Sequence, residues 1–476
     1  MNELTIELRQ DSDTPLYEQI YTFIKNDIRS GRLATRDKLP STRALAKCLE
    51  VSRNTVELAY DQLISEGYIE SVPYHGHYVC QIDGVYQLTR KSAPRKYTGA
   101  ESGRRYLYDF TPNGTDAASF PYTIWRKLTK EALADETAEL YRLGPPQGEL
   151  QLRESICQYL YQARGVRARA SNMVIGAGND YLLMVIATLL REYESETPRV
   201  AMETPTYTRA YRMFRALGCD IRLVGMDVCG TRLDSLNDSG AEIAYIMPSR
   251  QYPLGTVMPI SRRVELLKWA AAAPGRYLIE DDYDSEFRYR GKPIPALQGA
   301  DTSDKVIYLG TFSKSISPSI RVSYMVLPDS LLDTYRSGIG RAASTVPKID
   351  QRVLTAFLSQ GYYERHLNKT RALYKSRHDH LISAVKKTFG DRVVISGDGA
   401  GTHILIHLGR RIREEEAILL AAKEGVKVYG LSEYRVEPAV EETEAVILMG
   451  YVNISAERMS DAVDRLKKAW GDKLEL

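Results

Sequence analysis

The sequence predicts an α/β protein with two parts, a small N-terminal head and a large α/β body. Residues 15–82 carry three short helical patterns followed by two strand-like runs, whereas from about residue 107 onward apolar runs alternate with helical stretches. Of the 476 residues, 43% are apolar and 26% are charged, a composition typical of globular proteins. We therefore expect a head at 1–82, a linker at 83–106 and a body at 107–476.

Composition and charge exclude several classes of protein. With a net charge of +3, the chain as a whole is neither strongly basic nor strongly acidic. Its five cysteines form no CxxC pair. The longest strongly apolar stretch, Tyr181–Leu190, is about half of the ~20 residues that a membrane-spanning helix needs. The polar N-terminus does not resemble a signal peptide. We expect a cytoplasmic protein with reduced cysteines, no membrane segment and no metal site.

The head has the element order of a winged helix-turn-helix. An amphipathic helix is predicted over 15–30, with Gly31 at its C-terminal end. Ser41 and Ser52 are predicted to cap two further helices, separated by a three-residue turn around Val51. Strand-like runs at 68–72 and 78–82 follow, with the turn PYHGH between them.

The local charge of the head favours a nucleic-acid partner. Between Lys25 and Arg53, eight basic residues face three acidic ones, a local charge of +5. Such a surface binds DNA phosphates by counterion release, and the first turn of the third helix is the part that enters the major groove. The alternative is a solvated basic face on a protein-interaction domain.

The head also resembles a known family. The stretch LPSTRALAKCLEVSRNTVELAYDQLISEG closely resembles a GntR-type DNA-binding domain. The resemblance implies DNA contacts from the two caps, the helix starts and the wing. The predicted DNA-binding residues are Ser41, Arg43, Ser52, Arg53, Asn54, Thr55, His75, Gly76 and His77. The wing departs from the usual pattern, because two histidines flank a lone glycine where a glycine pair is usual.

The segment 83–106 lacks periodicity and carries six basic residues against two acidic ones. This composition predicts a linker. Its charge either helps to hold DNA or belongs to a solvated tether.

In the body, five apolar runs end in polar residues. The predicted strands lie at Met173–Ile175, Val200–Met202, Ile243–Met247, Tyr277–Ile279 and Val306–Leu309. Ligands of open α/β sheets collect at the carboxyl ends of the strands. These five endings therefore predict one ligand site.

The residue types at these endings fit pyridoxal 5′-phosphate (PLP). The sequence GAGN at 176–179 precedes a helix, where backbone N–H groups can bind a phosphate. Lys314 offers an amine to an aldehyde, and Asp281 offers a carboxylate to a protonated pyridine nitrogen. Each feature alone is common, since a lone lysine is usually a surface residue. Their combination in this order predicts a PLP site.

Residues 107–476 resemble a fold-type I, PLP-dependent aminotransferase. The matching motifs include PPQGELQLRESI, IGAGND, ETPTY, PSRQYPLG, EDDYDSEF and GTFSKSISPSIRVSYM. The resemblance implies that Lys314 is the Schiff-base lysine, that Asp281 contacts the pyridine nitrogen, that Tyr283 lies near the ring hydroxyl and that Tyr207 stacks on the ring. It places around the phosphate Gly178, Asn179, Thr311, Ser313 and Arg321.

Two positions depart from the aminotransferase pattern. Tyr252 occupies the place of the asparagine that usually contacts the ring hydroxyl, and Asn453 that of the arginine that clamps a substrate carboxylate. Loss of a charge-assisted clamp costs a carboxylate ligand about 1.5–3 kcal/mol. Arg209 remains as a candidate anion contact. These departures argue against efficient transamination and favour PLP itself as the signal.

A GntR-type head on an aminotransferase-like body resembles the MocR subfamily of bacterial regulators. The resemblance implies double-stranded DNA as a partner, PLP or PLP plus an amino compound as the effector, and a homodimer in which each head packs on the other subunit's body. It also implies control of vitamin B6 synthesis or of GABA utilisation. We expect a sensor, with residual half-transamination at most. Three alternatives stay open at this point: a regulator responding to an amino compound such as GABA, an aminotransferase with an accessory DNA-binding domain, and a dimerisation module in which PLP is vestigial.

Overall fold

A computed structural model describes residues 6, 8–9, 12, 14–81, 106–134, 138–194, 197–289, 291–436 and 444–474. The chain divides into two compact units, Met1–Gly103 and Arg104–Leu476. Residues 83–105 of the predicted linker lie outside the described residues, so the linker stays a prediction.

The N-terminal unit contains the three helices and the hairpin that the sequence predicts. Its elements are α1 (Leu16–Arg29), α2 (Thr42–Cys48), α3 (Arg53–Ser65), β1 (Ile69–Val72) and β2 (Gly76–Val79). Both predicted caps are confirmed, because the hydroxyls of Ser41 and Ser52 accept hydrogen bonds from the backbone N–H groups of Ala44 and Thr55 at 3.2 Å. Each cap thereby satisfies one of the free backbone N–H groups at the start of its helix.

The second strand of the hairpin differs from its predicted bounds of 78–82. It begins at Gly76, because Gly76 and His77 pair with Val72 and Ser71 of β1 in antiparallel register. Two of the five residues assigned to the turn PYHGH, Gly76 and His77, therefore belong to the strand. The turn itself is shorter and has Tyr74 at its centre.

The larger unit is an α/β domain that alternates helices and strands along most of its length. Its first half contains β3 (Tyr108–Asp109), α4 (Tyr122–Ala134), α5 (Leu150–Arg164), β4 (Met173–Gly176), α6 (Asn179–Glu194), β5 (Arg199–Glu203), α7 (Thr208–Ala216), β6 (Asp220–Val224), β7 (Met226–Asp227), β8 (Gly230–Thr231), α8 (Leu233–Asp238), β9 (Ile243–Ile246), α9 (Ile260–Ala271) and β10 (Tyr277–Asp282). Its second half contains β11 (Val306–Thr311), β12 (Ser323–Val326), α10 (Leu332–Ser337), α11 (Lys348–Ser359), α12 (Tyr362–Phe389), β13 (Val394–Ser396), β14 (His403–Gly409), α13 (Glu414–Lys423), β15 (Val426–Lys427), β16 (Tyr429–Gly430), β17 (Ala445–Gly450) and α14 (Ala456–Leu474).

A seven-stranded mixed sheet forms the centre of this unit. The strand order is β4-β12-β11-β10-β9-β5-β6, with β12 antiparallel to both of its neighbours and the other pairs parallel. All five strands predicted for the body belong to it. Val200 and Met202 pack in one apolar cluster with α6, whereas Ala201 packs in another with α9. Because both faces are covered, the strands are apolar runs without polar alternation.

The C-terminal part forms a smaller antiparallel sheet of order β13-β14-β17-β16. Its core is built with α12, α13 and α14, and the indole of Trp470 is completely buried there. The segment that leaves β16, Leu431–Tyr434, turns toward the large sheet. This placement brings C-terminal residues to the carboxyl ends of the large sheet's strands.

Candidate functional site

A cavity of about 610 Å³ opens at the carboxyl ends of the strands of the large sheet, where the sequence predicts a ligand site. Ten of the predicted site residues line it: Asn179, Tyr207, Arg209, Tyr252, Asp281, Tyr283, Thr311, Ser313, Lys314 and Arg321. Residues from distant parts of the chain complete its wall, among them Asn113, Arg212 and Glu433. The volume lies within the usual range for small-molecule sites. Among the described residues, no group of three or more potential metal ligands is present.

Lys314 lies in the turn that follows β11, inside the cavity. Its Nζ is 3.3 Å from Asn113 Oδ1 and 3.4 Å from the carbonyl oxygen of Pro112. Burial lowers the pKa of Lys314 to about 8, and the nearby Arg250 guanidinium acts in the same direction. A buried amine with a lowered pKa is partly neutral at neutral pH, which is the form that reacts with an aldehyde.

Asp281 lies at the end of β10 and faces the cavity from the sheet. Its carboxylate accepts a hydrogen bond from the buried hydroxyl of Tyr245, and the Asn179 amide nitrogen lies 3.5 Å away. Burial raises the pKa of Asp281 to about 7. The buried Oδ1 of Asn179 has no hydrogen-bond partner. An acceptor without a partner beside a buried carboxyl fits a ligand that brings a donor, as a pyridinium N–H does.

The phosphate end of the predicted site lies at the start of α6. Gly178 has a φ of +91°, and a Cβ there would lie 2.3 Å from Nη2 of Arg321. The glycine thus lets the guanidinium lie against the backbone that opens the helix. Gly178 itself does not line the cavity, but it positions Arg321, which does. Thr311 accepts a hydrogen bond from the Ser323 hydroxyl at 2.8 Å, which fixes its side chain beside this end.

One wall of the cavity is aromatic and is centred on Tyr252. The rings of Tyr207, Tyr283 and Tyr434 lie 5.2–5.7 Å from the Tyr252 ring in edge-to-face contact. The Tyr252 hydroxyl donates to the Tyr434 hydroxyl at 3.0 Å. Burial raises the pKa of Tyr207 to about 12, so this ring stays neutral. These rings offer a flat apolar surface to an aromatic cofactor.

The placement of Asn453 differs from the sequence interpretation. It lies in the exposed turn after β17, not in the strand, and it does not line the cavity. Its side chain instead lies against Gly114, where an added Cβ would come within 2.2 Å of Oδ1. Arg212 and Glu433, which sequence reasoning missed, place charges of both signs on the cavity wall. Arg212 lies one helical turn after Arg209, and this spacing is the sequence signal that could have identified it.

Six of the nine predicted DNA-binding residues of the N-terminal unit are exposed, and the other three are half-buried. Lys25, counted with the basic face, is held by Glu66 at 2.6 Å, so its charge is neutralised within the unit. The ring of His77 packs edge-on against Tyr60 at 4.9 Å and is half-buried, because its strand position points it at the core. Tyr74, which sequence reasoning missed, is fully exposed at the wing tip.

Ser41, Arg43, Ser52 and Asn54 are exposed at the starts of α2 and α3. Arg53 is also exposed and forms an ion pair with Glu57 at 2.7 Å. Thr55 is half-buried, since its hydroxyl shares the cap with Ser52 at 2.8 Å. His75 is exposed in the turn next to the half-buried Gly76. No helix in the described ranges is long and apolar enough to cross a membrane.

Comparisons with known proteins agree with this architecture. Residues 113–449 match the family model of aminotransferase class I and II, and residues 16–79 match that of the bacterial regulatory proteins of the gntR family. The HTH-type transcriptional regulator YdeL of Bacillus subtilis is 36% identical over 98% of this chain and 99% of its own. The pyridoxine biosynthesis transcriptional regulator PdxR of Corynebacterium glutamicum is 32% identical over 91% of each chain. MocR of Rhizobium meliloti, a probable rhizopine catabolism regulatory protein, is 29% identical over 97% and 95%.

Solved structures share the fold of the body. A multiple-substrate aminotransferase from Thermococcus profundus superimposes with a TM-score of 0.68 at 21% identity, covering 79% of this chain and 93% of that one. LysN, an α-aminoadipate aminotransferase from Thermus thermophilus, gives 0.67 at 22% identity, covering 77% and 92%. At these identities the likeness establishes the fold alone.

The fold and the site together define a transcription regulator with a DNA-binding head and a PLP-dependent, aminotransferase-like body. The chain belongs to the MocR subfamily of GntR-type regulators. PLP is the cofactor of this class of body, and the amine, carboxyl, aromatic wall and arginine of the cavity fit its aldehyde, ring nitrogen, ring and phosphate.

Proposed function

We propose that the chain controls genes of vitamin B6 supply and that occupancy of the cavity by PLP is the signal. The observation that carries the proposal is the convergence of Lys314, Asp281 and Arg321 on one cavity, in a chain with a DNA-binding head. A relative that is 32% identical is named as a regulator of pyridoxine biosynthesis. Because Asn453 lies outside the cavity, its identity neither favours nor excludes a carboxylate ligand.

The chemistry assigned to each residue follows from its place in the cavity. When bound, PLP supplies an aldehyde that bonds covalently to an amine and a ring that accepts electrons. Lys314 would hold the aldehyde end and Asp281 the ring nitrogen. Arg321, Thr311 and Ser313 would bind the phosphate, with the N-terminal turn of α6 contributing backbone donors.

The test is binding of purified apo-protein to the DNA upstream of its own gene, with and without PLP, at one fixed salt concentration. Fixed salt is required because the phosphate contribution to DNA binding changes steeply with ionic strength. We expect PLP to change the DNA affinity or footprint, and pyridoxal, which lacks the phosphate, to have a smaller effect. The Lys314→Ala protein is the matched control, and its DNA binding should respond less to PLP. DNA binding that ignores PLP overturns PLP as the signal.

A second candidate signal is an amino compound that reacts with bound PLP. The observation that favours it is the pair Arg212 and Glu433, which line the cavity beyond the residues assigned to PLP. A cation and a carboxylate suit a ligand that carries both an amine and an anionic group, such as GABA. Adding such compounds to PLP-loaded protein tests the idea, because a reacting amine changes the visible absorption of the cofactor.

We further propose that the body acts as a sensor without turnover, in a cytoplasmic homodimer whose heads pack on the opposite bodies. The names of the relatives, all regulators, support the sensor role. With an amino donor and a keto-acid acceptor, we expect at most one half-reaction per site. Sustained turnover would favour an aminotransferase with an accessory DNA-binding domain. Light scattering on the purified protein tests the dimer.

A further inference from the structure

A buried arginine that no part of the PLP site accounts for lies directly behind the cavity. Arg250, in the loop after β9, is only 3% exposed. Its Nη1 donates to the Tyr283 hydroxyl at 3.0 Å and to Asp284 Oδ2 at 3.1 Å. Its Nη2 donates to the carbonyl oxygens of His403 at 2.9 Å and Gly397 at 3.3 Å. These contacts satisfy Nη1 and Nη2, which offsets much of the cost of burying a guanidinium, whereas the buried Nε has no hydrogen-bond partner among the described residues.

The backbone around Arg250 is built to admit it. Gly401 has a φ of +87°, and a Cβ there would lie 2.3 Å from the guanidinium carbon. Any other residue at 401 would both strain the backbone and displace the side chain. The neutral ring of His403, whose pKa burial lowers well below its usual range, holds the Pro253 carbonyl through Nε2 at 2.8 Å. That leaves Nδ1 as an acceptor, 3.4 Å from Nη1 of Arg250.

The geometry points to Arg250 as the positioning residue that orients the Tyr283 hydroxyl toward the cofactor and ties the C-terminal sheet to the PLP site. A guanidinium has only donors, so the Tyr283 oxygen must accept from it. The hydroxyl proton of Tyr283 therefore cannot go to Arg250, and its acceptors are the neighbouring Asp284 carboxylate or, in the loaded protein, an acceptor on the bound ring. The other terminal nitrogen of Arg250, Nη2, binds backbone carbonyl oxygens of β14 and of the loop after β13.

The charges around the reacting amine link Arg250 to Lys314. Asp284, 3.1 Å from Arg250, offsets the buried positive charge. Lys314 lies close enough to both groups that Asp284 raises its pKa and Arg250 lowers it. Removal of the guanidinium therefore both releases the Tyr283 hydroxyl and leaves a carboxylate without its partner. The inference rests on PLP as the ligand of the cavity, and it does not require PLP to be the signal.

The experiment compares Arg250→Gln with wild type by spectroscopic titration, with no DNA present. We expect a roughly tenfold or larger loss of PLP affinity, the size typical of a lost charge-assisted hydrogen bond. We also expect the pH midpoint of the visible absorption of bound PLP to move upward, because a positive charge beside the chromophore is gone. A wild-type midpoint together with wild-type affinity overturns the inference.

Arg263→Gln is the matched control. Arg263 is equally buried at 4% exposed, but its donors go to the backbone carbonyls of Met258, Pro248 and Pro295, and it does not line the cavity. Its loss should lower the melting temperature and leave the pH midpoint in place. Equal shifts of the midpoint in both variants would mean that Arg250 acts only through stability, which also overturns the inference.

A double-mutant cycle with Tyr283→Phe tests the route of the effect. If Arg250 acts through the Tyr283 hydroxyl, the loss of affinity in the double variant is smaller than the sum of the two single losses. Additive losses contradict this route. Should Arg250→Gln fail to fold, Arg250→Lys replaces it. This variant keeps the positive charge but loses the planar guanidinium that donates to both sides. We therefore expect the pH midpoint to be retained and PLP binding to be weakened.

Discussion

The carboxylate of Asp180 accepts a hydrogen bond from the Arg209 guanidinium at 2.5 Å. The same carboxylate oxygen lies 3.3 Å from Nη2 of Arg321. One acidic residue, the second of α6, thus holds both arginines at the phosphate end of the cavity. A phosphate that enters must compete with Asp180 for the same N–H donors, because each guanidinium has a limited set of them.

Asp180→Asn should therefore bind PLP more tightly, by about two- to fivefold, the range expected for a partly exposed ion pair. The substitution removes a negative charge beside the phosphate and frees the two guanidinium groups. Titration of apo-protein with PLP, and competition by inorganic phosphate, measure the effect. Asp333→Asn is the control, since Asp333 is fully exposed and pairs with Arg336 on its own helix. Weaker binding by Asp180→Asn would show that the acid helps to build the phosphate site.

Lys314→Ala should abolish the visible absorption of the PLP-loaded protein while leaving the chain folded. The Lys314 amine is the covalent partner assigned to the aldehyde, whereas its hydrogen bonds to Pro112 and Asn113 are long and contribute little to folding. Absorption spectra and thermal melts measure the two effects. Lys375→Ala is the control, because Lys375 is an exposed lysine paired with Asp379. An unchanged absorption band would contradict the assignment of the lysine.

The rate at which PLP loads onto apo-protein should rise with pH and level off above about 8. Burial lowers the pKa of Lys314 to about 8, so the neutral, reactive amine is already abundant there. Since the unfolded chain keeps an ordinary lysine pKa near 10.4, it binds more protons than the folded chain between about pH 8 and 10. This group's contribution to apo-protein stability therefore increases with pH across that window. Stopped-flow absorption measures loading, and a rate that keeps rising past pH 10 would mean that the amine is not desolvated.

Much of the fold was predictable because its signals are local. Apolar runs identified all five strands that were predicted in the large sheet, and Ser41 and Ser52 identified the starts of α2 and α3. Side chains at the carboxyl ends of neighbouring parallel strands lie close together, so strand endings and residue chemistry identified Asp281 and Lys314 as candidates, and the family resemblance gave their roles. These residues needed no knowledge of distant contacts.

The residues that were missed depend on contacts between distant parts of the chain. Arg250 resembles a surface arginine in sequence, and its role appears only when residues 397–403 close over it, about 150 positions later. Asn453 was misplaced because the alignment treated it as part of a strand, whereas it lies three residues past the end of β17, in a turn. Local periodicity carries no information about either position.

Arg53 is the residue of the predicted DNA-binding surface that substitution tests most directly. It is 54% exposed in the first turn of α3 and pairs with Glu57 one turn later, a weak interaction that a DNA phosphate or base edge can replace. Arg53→Ala should weaken binding to the DNA upstream of the gene by about 1–3 kcal/mol if the contact is to a base. If the contact is to a phosphate, the slope of log affinity against log salt should fall by about one. PLP binding should not change in either case, because Arg53 does not line the cavity.

Arg336→Ala is a close control for this experiment. Arg336 is 52% exposed and pairs with Asp333 on α10 of the body, so it matches Arg53 in exposure and in the kind of ion pair. Its removal should leave DNA affinity and salt slope at wild-type values. Fluorescence anisotropy at several salt concentrations measures both quantities. If Arg53→Ala binds DNA as tightly as Arg336→Ala, the first turn of α3 does not touch the DNA, and the exposed Tyr74 at the wing tip becomes the next residue to replace.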